Sequence, residues 1–144
     1  MKKIFKNKKG FTLMEIIVVL IIIAVLAAAL IPSFVRFAQN ARASSAIAEA
    51  QLGMTAAQAV VTEILASGHV LDANPDAQIR TYTVGGVNRF SYYLRGDVSN
   101  EAGFSGITMD PGGTRVNGIT YAHPNYNVVV DGVNGSTTAT PVGS

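Results

Sequence analysis

The chain has 144 residues, 49% of them hydrophobic, with a formal charge of +2 at pH 7 and no cysteine. This length leaves room for one small soluble domain beside an apolar segment, and the absence of cysteine excludes a disulfide scaffold. All five lysines lie within the first nine residues, so no broad lysine surface for nucleic acid or anionic lipid is expected beyond them, and nucleic acid is not expected as a direct strong ligand.

The first ten residues are basic and end in Gly10. Phe11-Thr12-Leu13-Met14-Glu15 follows, and then an almost unbroken apolar run from Ile16 to Ile31, in which twelve of sixteen residues are Ile, Val or Leu. At ~0.3 to 0.6 kcal/mol each, these residues favour membrane insertion by roughly 4 to 7 kcal/mol, and one carboxylate near the end of the span does not reverse that. Residues 11–31 as a helix measure about 31 Å, close to the hydrocarbon thickness of a bilayer. Lysines 2, 3, 6, 8 and 9 precede the span while only Arg36 and Arg42 follow it closely, which places the leader in the cytoplasm and the remainder outside. A carboxylate at membrane depth marks function by default. An ordinary secretory signal cut after Ala29, before Leu30, and a plain uncleaved anchor are the simpler readings. Glu15 inside the apolar region and a helical pattern that continues past Ala29 stand against the first.

The helical pattern resumes beyond the span. Ile47, Ala50, Met54, Ala57, Val61 and Ile64 recur at spacings of three and four, with Ser45, Glu49, Thr55, Gln58 and Thr62 on other faces. The spacing predicts one helix from Phe11 to Ser67, a rod of roughly 85 Å, stopped by Gly68. Pro32 removes a backbone hydrogen bond within it, so a kink is expected near residues 28–32. Four parts follow: a leader 1–10, a membrane half 11–31, an amphipathic half 32–68 and a β-rich head 69–144 packed with residues 45–67. In the head, Ile79–Val84 and Arg89–Leu94 flank Gly85-Gly86 as a predicted hairpin. Residues 96–113 read as a long loop, Val116–Tyr121 and Tyr126–Val130 as two strands, with turns at Asp131-Gly132 and Asn134-Gly135. Residues 136–144 read as an edge strand or a flexible tail. The fold class is α+β, a long helix on a small antiparallel sheet.

Lys8-Lys9-Gly10-Phe11-Thr12-Leu13 with Glu15 resembles the class III leader of type IV pilins and pseudopilins. The resemblance covers residues 8 to about 40 and implies a pilin-like fold. It implies cleavage after Gly10 by a membrane-embedded prepilin peptidase, N-methylation of the new terminus at Phe11, and pairing of Glu15 with a Phe11 amine during assembly. Removing the leader leaves six arginines against nine acidic residues, a formal net of −3. Many members carry a proline matching Pro32, some with a glycine eight residues earlier; here that position is Ala24, a strong helix former. Many Gram-negative pilins close a C-terminal loop with a disulfide, and this cysteine-free chain departs from that pattern toward a Gram-positive pilin or a pseudopilin. The implied function is a structural subunit, the major pilin, of a type IV pilus serving adhesion, motility or DNA uptake. Its implied partners are further copies of itself in a helical filament, prepilin peptidase, the assembly platform with minor pilins, and the cytoplasmic membrane before export to the surface. A pseudopilin of a type II secretion or competence system is the alternative, and a non-polymerising tethered or secreted binding domain the third reading.

No catalytic constellation is assembled by the sequence, so no enzymatic activity and no cofactor are expected. His69 after Gly68 and His123 before Pro124 read as solvated loop histidines rather than metal ligands. Asp97, Asn100, Glu101 and Asp110 share the long loop and are candidate calcium ligands, without EF-hand spacing. A solvated acidic loop is the plainer reading. Phe11, Phe34, Phe37, Tyr82, Phe90, Tyr92, Tyr93 and Tyr121 could be drawn as an aromatic path, but packing explains them. Asn134-Gly135-Ser136 fits a glycosylation sequon and equally a turn.

Overall fold

A computed structural model describes residues 10–72, 74–96, 98 and 101–143. The leader residues 1–9, Asp97 and Asn100 lie outside the described residues, as does the side chain of Glu101. The chain divides into two compact units, Met1–Gln39 and Asn40–Ser144.

Helix α1 spans Leu13–Ala66 and carries Pro32 within it. In the first unit it runs through Ile16–Ile23, a stretch of β-branched residues and one leucine whose helix propensity in water is poor. Hydrocarbon reverses that preference, because a helix satisfies every backbone polar group within the segment. The apolar side chains of this unit are exposed along its length, Phe11 at 84% and Phe37 at 70%.

In the second unit α1 buries a stripe of Ala46, Ala50, Gly53, Ala57, Val60 and Ile64, at alternating spacings of four and three, with Ala56 and Val61 beside it. The stripe is turned slightly from the expected one, and Ile47 and Met54 are half-buried at its border. The small residues let the sheet come close. A Cβ on Gly53 would stand 2.6 Å from Cδ1 and 2.7 Å from Cζ of Phe104. That ring stacks on Tyr121 at 4.3 Å and receives Phe90 edge-on at 5.6 Å, forming an aromatic block between helix and sheet. Helix α1 ends as expected. His69 N–H donates to Ile64 O at 3.2 Å, Gly68 N–H to Leu65 O at 3.1 Å, and Gly68 takes φ +77°, a Schellman motif.

The sheet is a four-stranded antiparallel meander of β3 (Phe104–Met109), β4 (Val116–His123), β5 (Tyr126–Asp131) and β6 (Ser136–Pro141). Strand β5 alternates cleanly, with Tyr126, Val128 and Val130 inward, and sets its neighbour through pairs such as Tyr121↔Val128. Residues 136–141 form an edge strand paired from Tyr126↔Pro141 to Asp131↔Ser136.

Two expectations for the head are corrected. Residues 79–84 and 89–94 are not the arms of a hairpin. The turn at Gly85-Gly86 joins only β1 (Thr83–Val84) and β2 (Val87–Asn88), and helices α2 (Pro75–Thr81) and α3 (Arg89–Leu94) flank it. Asn74 caps α2 with Pro75 behind it, and the Asn88 side chain accepts the Ser91 N–H at 2.9 Å to start α3. Phe90 and Leu94, four residues apart, then face the core together. Nor is 96–113 a plain loop, since it holds a 3-10 turn at Glu101–Gly103 and strand β3. Gly106, at φ +60°, lies within a register shift between Ser105 and Thr108, so the period-two signal of β3 is broken.

Candidate functional site

The chemistry singled out by the sequence begins at the N-terminal end of α1. Thr12 stands before the first helical residue, and Glu15 is the third residue inside. The Glu15 N–H donates to Thr12 Oγ1 at 3.2 Å, and the Thr12 N–H donates to Glu15 Oε2 at 2.9 Å. The Thr12 hydroxyl also donates to Oε2 at 3.1 Å. This reciprocal pair is a capping box, in which side chains of the cap and the third residue satisfy two orphan N–H groups of the helix start. No described residue donates to the other oxygen of Glu15. Gly10 and Phe11 precede the helix, both exposed.

Sequence reasoning singled out Glu15 and passed over Thr12. The signal was present, since Thr-x-x-Glu directly before an apolar run is the pattern of such a box. No described residue lies within 4 Å of the place a Cβ on Gly10 would occupy. Pro32 lies within α1 with helix on both sides of it. The helix contains an 18-residue window of mean hydropathy 3.1, none of it buried, so it is long and apolar enough to cross a membrane.

The candidates in the head are held by their own surroundings. Asp110 accepts N–H groups from Thr114 at 2.7 Å and Arg115 at 2.8 Å, and its second oxygen faces the Thr114 hydroxyl at 3.3 Å. These bonds, the Arg115 N–H first, hold its carboxyl below the usual range. Asp97 and the Glu101 side chain lie outside the described residues, and no group of three or more His, Asp or Glu stands together among the described ones. Asp131 is held low in the same way, chiefly by the Asn134 side-chain amide and then by the Asn134 and Val133 N–H groups. Asn134-Gly135 is thus a built turn, with Gly135 at φ +65°.

His69 is exposed, and its Nδ1 lies 2.8 Å from the Ser67 hydroxyl. His123 is not a solvated loop residue. It ends β4 with its side chain 9% exposed, accepts the Asn125 N–H on Nδ1 at 3.1 Å, and turns Nε2 toward Glu49 Oε1 at 3.9 Å. Tyr121 donates to the other oxygen of Glu49 at 2.6 Å, so one carboxylate of α1 gathers two residues of β4. A second tie joins Glu63 of α1 to Arg89 at 2.8 Å, with Arg89 lying over Tyr92 at 4.5 Å and Tyr93 at 5.1 Å. Hydrogen bonding to Glu63 raises the Arg89 pKa further above its ordinary value. Of the aromatic residues, Phe90 and Tyr121 pack in the core, while Phe11, Phe34 and Phe37 belong to the first unit.

Comparison with known proteins gives a single kind of match. The prokaryotic N-terminal methylation motif matches residues 5–31. No curated protein and no solved structure matches the chain. The match ends at Ile31, where the unbroken apolar run ends, and it encloses Gly10, Phe11, the capping box and that run. The chain therefore carries, ahead of its α+β head, the class III prepilin leader of type IV pilins and pseudopilins, the leader read by prepilin peptidase.

Proposed function

We propose that the chain is the major structural subunit of a type IV pilus, cleaved after Gly10, N-methylated at Phe11 and polymerised through its apolar helix. The observation that carries this reading is the match over residues 5–31, which takes in a stretch of helix, Leu13 to Ile31, whose large apolar side chains are exposed among the described residues. A bilayer covers such a helix before assembly, and neighbouring helices cover it in a filament. The precursor then sits in the cytoplasmic membrane with its leader inside and its head outside, and the product is an extracellular filament serving adhesion, motility or DNA uptake. Its partners are prepilin peptidase, the assembly platform, minor pilins and other copies of itself. The role is structural, without catalysis.

Glu15 contributes to assembly through charge. Cleavage leaves a cationic amine on Phe11 in apolar surroundings, where an ion pair is strong and an unpaired partner costly. The Glu15 oxygen not used by Thr12 is the one available to that amine. A subunit placed in the correct axial register pairs both charges, and a misplaced one strands them. Glu15→Ala is expected to abolish sheared surface filaments, by immunoblot and electron microscopy, while the processed form still accumulates in the membrane. Filaments at the unsubstituted level from Glu15→Ala would contradict the proposal and favour a simple tether, for which loss of this carboxylate is neutral.

A further inference from the structure

We propose that Thr12 is a positioning residue for leader cleavage, holding the Gly10–Phe11 peptide bond outside helix α1. This rests on the reading of the chain as a prepilin peptidase substrate. In an α-helix each N–H bonds to the carbonyl four residues earlier, so a helix begun sooner would send the Glu15 N–H to the Phe11 carbonyl. Thr12 Oγ1 accepts that N–H instead, and Glu15 Oε2 returns the bond by accepting the Thr12 N–H. The first backbone bond of the helix then falls on the Thr12 carbonyl, from Ile16 N–H at 3.3 Å. No described residue hydrogen-bonds to Gly10 or Phe11.

The consequence for hydrolysis is direct. Water adds at the Gly10 carbonyl carbon, the bond to the Phe11 nitrogen breaks, and that nitrogen leaves as the new terminal amine after taking a proton. A carbonyl drawn into a helical turn is flanked by the next turn and tied to an N–H, whereas one in free backbone offers both faces. The apolar run itself pulls the other way. Helix in hydrocarbon tends to propagate, because every uncapped N–H there is costly, and the capping box fixes where propagation stops. Two further observations place the demand at this junction. The methylation motif spans it. No described residue lies within 4 Å of the place a Cβ on Gly10 would occupy, which leaves the backbone there open to a partner's approach.

The test is pulse-chase conversion of the full-length precursor in membranes that contain prepilin peptidase, with the cut position read by mass spectrometry. Thr12→Val keeps the side-chain shape and removes the cap. It is expected to slow conversion roughly five-fold, the rate equivalent of a typical N-cap loss. Thr12→Ser and Thr12→Asn restore a cap with different side chains, and both are expected within about two-fold of the unsubstituted rate. Conversion of Thr12→Val at the unsubstituted rate would overturn the proposal. So would rescue by Ser without rescue by Asn, which would mean that the peptidase reads the hydroxyl itself. An unsubstituted chain left uncut at Gly10–Phe11 would overturn the processing reading beneath it, and this inference with it.

Discussion

One absent methyl group, at Gly53, sets how closely α1 lies on its sheet. Alanine is the better helix former by about 1 kcal/mol, so propensity alone predicts that Gly53→Ala stabilises. Packing predicts the reverse, because overfilling a dense core costs about 1 to 3 kcal/mol, and Phe104 is held between Tyr121 and the edge of Phe90. With a Cβ 2.6 Å from Cδ1 of that ring, packing wins. Gly53→Ala is expected to lower the stability of the full chain in detergent by roughly 1 to 2 kcal/mol, read as a lower urea midpoint of the head's tertiary signal. An unchanged or higher midpoint would show that the ring has room to retreat. The sequence placed Gly53 in a helix but not against a ring, since helical periodicity reports which face is apolar and not how near its partner stands. His123 was misplaced for a related reason. A histidine beside a proline reads as loop, and only the pairing His123↔Tyr126 and the carboxylate of Glu49 bring it inside.

The same division holds for whole elements. Those with strong local signals were legible: the helix and its stop at Gly68, strands β4 and β5, and the glycine pair between β1 and β2. Helices α2 and α3 and strand β3 were not. The first two are a single turn or two long, too short for periodicity, and their evidence lay in the caps Asn74-Pro75 and Asn88, while β3 lost its alternation to the shift at Gly106. The turns between strands carry a further prediction. Asp110 closes the β3–β4 connection and Asp131 the β5–β6 turn, and hydrogen bonds hold both carboxyls below their ordinary values. A carboxyl with a lowered folded pKa adds stability that is present above its unfolded pKa and lost as pH falls through the folded one. Both connections are therefore expected to keep their protection at neutral pH and to loosen in acid below the usual aspartate range. Hydrogen exchange at the amides of Thr114, Arg115 and Val133, followed against pH, reads this directly. Protection there that is independent of pH would contradict the role assigned to the two carboxylates.

Across the whole molecule, two units solve opposite problems. Residues 40–144 hold together without disulfides, through an apolar core of helix, sheet and aromatic block and through carboxylates on α1 that reach the head. In the first unit, apolar residues from Phe11 to Phe37 are left open, and a charged capping box stands at the head of a hydrocarbon-length helix. The proposed function gives that arrangement a use, since a subunit that moves from bilayer to filament keeps such a helix covered in both. The leader motif was legible because a short run of residues carries it, while the head's contacts depend on residues far apart in the chain. What the first unit becomes turns on the fate of one peptide bond. Mass spectrometry of the N-terminal peptide from protein sheared off cells tests this most directly. The account predicts a terminus at N-methylated Phe11, and a terminus at Leu30, or an intact Met1, would contradict it.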